Sequence, residues 1–140
     1  MNRKLKIDRQ FTPCLIDDDD ELYPNGIFVF NITRMTEYIR YSNMACEEVL
    51  VKDFSRGSSN LNEDHLPNVD VTRPVIVAEI SPGRYNVIDG NHRMEKARRL
   101  GMKKIPACRL SPEHHLQFLT TEKGYLAYIE YWNSKLKERA

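Results

Sequence analysis

The stretch VIDGNHRMEKARRLG, Val87 to Gly101, decides how this chain is read. Val-Ile-Asp has the β-branched character of a strand, and Gly90 interrupts it. From Asn91 to Leu100, the residues Met94, Ala97 and Leu100 recur at helical spacing. Gly101 then stands where a helix ends on a left-handed residue. A strand that turns at a glycine into a helix is therefore expected here.

The segments on either side extend the pattern. Pro74 to Ile80 (PVIVAEI) reads as a buried strand, and Ser81 to Arg84 (SPGR) as a hairpin-type turn with Pro82 and Gly83 at its centre. Tyr85 to Asp89 returns as the second strand. After the helix, Lys103 to Leu110 (KKIPACRL) forms a further short strand, and Pro106 predicts an edge or strand-start position for it.

Farther out the signals vary. Residues 1–25 are polar and irregular, and they include four consecutive aspartates, Asp17 to Asp20. Such a run suits a solvated loop better than a cation site, because the spaced ligands and central glycine of a calcium loop are missing. Gly26 to Ile32 (GIFVFNI) predicts a strand. Thr33 or Thr36 could cap a following helix with Met35, Tyr38 and Ile39 on its inner stripe. Val49 to Phe54 suits either the end of that helix or a second short strand. Ser55 to Arg73 shows no periodicity, and a loop of that length is expected to be functional or mobile, a lid being one form. Residues 111–140 form a helical segment: Ser111 is placed to cap and Pro112 to open a helix. Beyond them Tyr125, Ile129 and Trp132 share a face, with Tyr128 and Leu136 beside it, expected to cover the sheet.

Bulk properties bound the rest. The chain has 140 residues, which suits one domain, 1–140, with a modest core. Its formal net charge of +1 is too balanced for a protein living on bulk nucleic acid, so any basic surface must be local. No apolar run reaches the roughly 20 residues needed to cross a bilayer. The opening MNRKLKIDRQF lacks the apolar centre of a secretory leader, so no membrane partner is expected. Cys14, Cys46 and Cys108 are scattered and odd in number. They fit a reduced, cytoplasmic setting, with three small apolar fillers.

The chemistry concentrates at the glycine turn. A helix start leaves backbone N–H groups unpaired and carries positive potential, and a glycine lets a ligand approach closely. Arg93 can offer a planar fork to phosphate oxygens, His92 can donate or titrate, and Asn91 can cap or donate. Asp89 can hold a metal or orient His92. From Arg93 to Lys104 there are six basic residues against one acid, Glu95. The same residues also suit an ordinary capped helix with a solvated basic face, and physics alone leaves the two readings open. Glu79 is expected to face solvent from its strand, and His114 and His115 to be exposed.

Taken together, RPVIVAEI, GRYNVIDGNHRMEKARRLG and MKKIPACRL resemble the core of the ParB/sulfiredoxin superfamily. Pro74, Gly90, Arg93, Ala97, Gly101 and Ile105-Pro106-Ala107 follow in that family's order, between Arg73 and Leu110. The resemblance implies an α+β fold, a small mixed sheet with helices. It also implies that Gly90, Asn91, His92 and Arg93 contact phosphate, with Arg73 near the ligand. In ParB proteins the corresponding segment, Gly-Glu-Arg-Arg, binds CTP. In sulfiredoxins it is Gly-Cys-His-Arg and carries the catalytic cysteine, and in ADP-dependent free serine kinases it is Asp-Gly-His-His-Arg. Asn91 stands at the sulfiredoxin cysteine and at the ParB glutamate, so neither sulfinic-acid reduction nor CTP switching of the partition type is implied. No helix-turn-helix is expected after Leu110.

The function these readings imply is nucleotide binding, of ATP, ADP or CTP with Mg²⁺, by an enzyme of phosphoryl transfer or phosphodiester hydrolysis. His92, Arg93 and Asp89 are its candidate catalytic residues, and Asp89 its candidate metal ligand. The alternative is a non-catalytic module that docks DNA, RNA or a protein on the basic helix 91–100. Metal-dependent nuclease activity finds no ligand spacing among His65, His92, His114 and His115.

Overall fold

A computed structural model describes residues 3–54 and 62–139. The part of the expected lid at 55–61 therefore lies outside the described residues. The elements run β1 (Leu22–Asn25), β2 (Phe28–Asn31), α1 (Ile32–Tyr41), β3 (Glu47–Leu50), β4 (Val75–Ser81), β5 (Arg84–Asp89), α2 (Asn91–Arg99), β6 (Lys104–Leu110), α3 (Pro112–His115) and α4 (Glu122–Arg139). A four-stranded sheet has the order β3-β6-β4-β5, and β1 and β2 form a separate hairpin. β4 runs antiparallel to β5 and parallel to β6, while β3 runs antiparallel to β6. The fold is α+β with a mixed sheet.

This order follows from chain connectivity. The tight turn Ser81–Arg84 forces β5 to lie antiparallel beside β4, and Gly83 takes the positive φ that the turn needs. β6 runs antiparallel to β5 but is separated from it by β4, so a tight turn cannot join them, and α2 carries the chain across one face before β6 pairs with β4's other edge. β6 is thus an interior strand, so of the edge and strand-start positions expected from Pro106 only the edge position is corrected. Pairing with β4 begins only at Ala107, one residue after the proline, and on the β3 side Pro106 lies opposite Glu48 near the strand's start.

The sheet alternates its side chains between two cores. On the α2 face, Val75, Val77, Ile105 and Ala107 meet Val49, Val51, Met94 and Ala97. On the other face, Ile76, Ala78, Ile80, Ile88 and Leu110 meet Phe30, Met35, Leu119, Tyr125, Tyr128 and Trp132. Tyr125, Tyr128, Ile129 and Trp132 are all buried, so the aromatic stripe of α4 covers the sheet as its spacing predicts. Gly124 makes this docking close: a Cβ there would lie 2.8 Å from the Ile27 carbonyl oxygen.

Several local expectations change. α1 is capped by Asn31, whose side chain accepts from the Arg34 N–H, rather than by Thr33 or Thr36. The helix stops at Tyr41, and Glu47–Leu50 becomes a strand because β6 offers it an open edge. The N-terminal segment expected to be irregular contains β1 and packs on α4. The Leu5 N–H and C=O both bond the Asn133 side chain, Trp132 Nε1 donates to the Arg3 carbonyl, and Phe11 stacks on Tyr125 at 3.9 Å. Of the aspartate run, Asp17 pairs with Arg34 at 2.7 Å, and Asp20 accepts from Asn31 Nδ2.

Two further expectations are overturned. Glu79 is buried, and its carboxylate accepts the Gly83 N–H at 2.8 Å, closing the hairpin from within. His115 is fully buried rather than exposed. Its Nε2 lies 2.8 Å from the Glu79 carbonyl oxygen, which can only accept, so Nε2 carries the proton. The Tyr128 hydroxyl donates to the same oxygen at 2.6 Å. This carbonyl sits beside a register shift between Glu79 and Ser81, so side chains from α3 and α4 supply its donors. His115 Nδ1 is buried and has no hydrogen-bond partner among the described residues.

Burial pushes the His115 pKa down from 6.5 to about 4. The unfolded chain therefore takes up a proton that the folded chain refuses. The contribution is complete above pH 6.5 and is lost as the pH falls to about 4. Denaturant unfolding of the wild type and of His115→Gln across this window should show the wild type losing on the order of 3 kcal/mol more than the variant. Equal slopes for the two proteins would show that His115 does not titrate in this way.

Candidate functional site

The glycine turn forms a corner between β4, β5 and α2. Gly90 has φ +103° and ψ +28°, a left-handed conformation, and immediately precedes the helix. A Cβ at this position would lie 2.6 Å from Val75 Cγ1 and 3.0 Å from Arg93 Nη2. Backbone conformation and space thus both demand glycine. The Gly90 carbonyl accepts the first helical bond from the Met94 N–H at 2.9 Å. Among the described residues no side chain caps the first turn of α2, so the capping by Asp89 or Asn91 that the sequence also allows is not seen.

Arg93 latches the corner. Its Nη1 donates to the Pro74 carbonyl at 2.6 Å, and its Nη2 pairs with Asp89 Oδ2 at 3.2 Å. One guanidinium therefore ties the residue before β4 to the last residue of β5. The Arg93 side chain keeps only 12% of its surface exposed. Asp89 is bound to Arg93 in this arrangement. Among the described residues, no group of three His, Cys, Asp or Glu side chains is placed to hold a metal ion.

The segment 62–73, part of the patternless stretch Ser55 to Arg73, runs along α2 as a strap. It contains a 3-10 turn, Leu66–Asn68, with Leu66 buried. The Asn62 N–H donates to His92 Nε2 at 3.0 Å, and the His65 ring meets the His92 ring edge to face at 5.5 Å. His92 Nε2 is thereby an acceptor, which leaves the ring proton on Nδ1. Lys96 Nζ donates to the carbonyls of Pro67 and Val69 at 2.9 and 2.7 Å. Arg99 makes a two-pronged contact with Glu63 at 2.7 and 2.9 Å, and this pairing holds the Glu63 carboxyl below its usual pKa.

The basic helix is therefore largely occupied within the chain. Arg98 pairs with Glu95 and donates to the Phe54 carbonyl, and Arg99 Nε reaches Glu95 at 2.8 Å. Glu95, the one acid among these basic residues, is buried. The structure brings together Asp89, Gly90, Asn91, His92 and Arg93. Exposed Arg73 lies on the strap next to Pro74, whose carbonyl takes Arg93. The sequence does not single out Glu63 or Asn62, and it offers His65 only as a possible metal ligand. Their only sequence signal was an acid and a histidine within a loop that has no period of its own.

Two variants test the corner and the strap. Gly90→Ala should destabilise the fold by roughly 2–4 kcal/mol in urea unfolding, from strain at positive φ and overlap with Val75. A change below about 0.5 kcal/mol would refute the tight corner. Lys96→Met should speed amide exchange at Asn68 and Val69 about tenfold, by removing a charged donor from two strap carbonyls. It should leave exchange in β4 unchanged.

Comparison with known proteins places the corner in a wider setting. The family model of the ParB N-terminal domain matches residues 53–120, a span that contains the strap, the corner, β4 to β6 and α3. No curated protein matches the chain. A crystal structure of the C-terminally truncated chromosome-partitioning protein ParB from Caulobacter crescentus, complexed with CTP-gamma-S, aligns at 20% identity with a TM-score of 0.40. The alignment covers 69% of this chain and 54% of that one, so this chain spans about half the length of that structure.

Proposed function

Because the chain is ParB-like, with a ParB N-terminal domain over residues 53–120, we propose that it binds the phosphates of a nucleotide at the corner where β5 enters α2. The observation that carries this reading is the helix start itself. The amides of Asn91, His92 and Arg93 open α2 with no side-chain cap among the described residues, behind a glycine held at positive φ. Such a start supplies both donors and positive potential to an anion.

The side chains have defined tasks in this reading. A guanidinium carries five N–H donors. The two Arg93 contacts described above leave the others for phosphate oxygens. His92 Nδ1 is the ring donor, since Nε2 is occupied by the Asn62 N–H. A role for His92 in proton transfer at Nε2 would require residues 62–65 to draw back. Arg73, exposed next to Pro74, would add positive charge near the corner in this reading. A Mg²⁺ carried in with ATP, ADP or CTP would find Asp89 as a carboxylate next to the corner, at the expense of the Asp89–Arg93 pair. With these groups, phosphoryl transfer or phosphodiester hydrolysis would rest mainly on positioning and on neutralising phosphate charge.

The second reading, a module docking nucleic acid on helix 91–100, fits the geometry less well. Lys96, Arg98 and Arg99 already serve carbonyls and carboxylates of the same chain. Freeing them would break the strap.

Calorimetric titration of the full chain with ATP, ADP and CTP, each with Mg²⁺, checks the proposal. At least one should bind, and Arg93→Ala should weaken it roughly 10- to 100-fold, the range for lost charged hydrogen bonds. If none binds and Arg93→Ala changes only stability, the corner is structural. Retention on immobilised DNA that falls steeply with salt, without nucleotide binding, would favour the docking module instead.

A further inference from the structure

The sequence leaves the three cysteines as scattered apolar fillers, and the sheet brings two of them together. Cys108 lies in β6 and is buried, while Cys46 directly precedes β3 and is exposed. Glu47 pairs with Ala107 in antiparallel register, so the next step along the ladder sets Cys46 opposite Cys108. Directly opposed residues of an antiparallel pair have Cα atoms about 4.5–5.5 Å apart, within the range a disulfide spans. The two Sγ atoms lie 2.9 Å apart, and both thiols are free. They are separated by 62 positions in sequence, so only the tertiary fold joins them.

We propose that Cys46 and Cys108 form a reversible redox pair, and that its disulfide fastens the edge strand β3 to β6. The proposal is independent of the nucleotide reading. The exposed thiol must react first. The Cys46 thiolate attacks a low-molecular-weight disulfide, forms a mixed disulfide and expels one thiolate. Cys108, brought against it by the register, gives up its proton to that thiolate and attacks Cys46 Sγ. The second small thiolate leaves and takes a proton from water. The oxidant is reduced to two thiols, and one Cys46–Cys108 bond is formed.

The environment assigns the order of attack. Burial and the neighbouring Cys46 push the Cys108 thiol up to about 12, so it does not start the exchange. Cys14 lies on a different part of the chain, where its own pKa is raised by burial, and it has no thiol neighbour among the described residues. The crosslink would hold the end of the α1–β3 connection against the sheet. It lies in one transverse row with Ile76 and Asp89, since Cys108 pairs with Ile76 and Ile76 with Asp89.

The test uses the full reduced chain incubated with oxidised glutathione, then alkylated in denaturant and weighed intact. The expected product has lost two hydrogens, carries no glutathione and has one alkylated thiol, at Cys14. A non-reducing digest should give the joined Cys46 and Cys108 peptides, and dithiothreitol should restore all three thiols. The oxidised chain should melt roughly 5–15 °C higher, because the bond closes a long loop. Cys46→Ser, a change at an exposed position, should keep the fold and form no internal crosslink. A stable glutathione adduct at Cys46, a bond involving Cys14, or a covalent dimer in place of the internal bond would each overturn the proposal.

Discussion

The close approach of the Val75 side chain to the Gly90 backbone is the constraint on which the α2 side of the fold rests. β5 must leave the sheet within one residue, and α2 must start while still touching β4. A left-handed residue without a Cβ permits both. From that point α2 is aimed back across the sheet, where Met94 and Ala97 meet Val75, Val77 and Ala107. Arg93 then fixes the corner by bonding the Pro74 carbonyl and Asp89. The same turn that makes the chain compact leaves the first-turn amides without a side-chain cap among the described residues. Architecture and candidate anion site are thus one feature.

Charge on α2 serves two purposes. Its distal residues, Lys96, Arg98 and Arg99, hold the strap and the buried Glu95, while its first turn faces the corner. A buried carboxylate is tolerable because two guanidinium groups reach it. The strap in turn supplies the buried Leu66 and closes over His92. Access to His92 and the seating of the strap are therefore coupled through a few exposed polar contacts, which are individually weak.

The other face of the sheet is organised by a backbone irregularity. The shift in β4–β5 register leaves the Glu79 carbonyl to be served by His115 and Tyr128 from α3 and α4. The same residue's carboxylate closes the hairpin turn. One position thus links the hairpin to the helical segment at 111–140. The N-terminal residues add a further layer by bonding Asn133 and Trp132 of α4.

Local patterns in the sequence determined the hairpin, the glycine turn, the span of α2, the strand after it and the inward face of α4. These depend on residue periodicity, on glycine and proline geometry and on apolar faces, all of which act within a few residues. The clustering of Asp89 to Arg93 was equally legible, because those residues are adjacent. Only tertiary structure decided where charges and polar atoms ended up. It placed Pro106 in an interior strand, buried Glu79, Glu95 and His115, and turned a patternless loop into a strap on α2. It also set Cys46 against Cys108. Each of these outcomes depends on a partner far away in sequence, and spacing along the chain carries no information about such a partner.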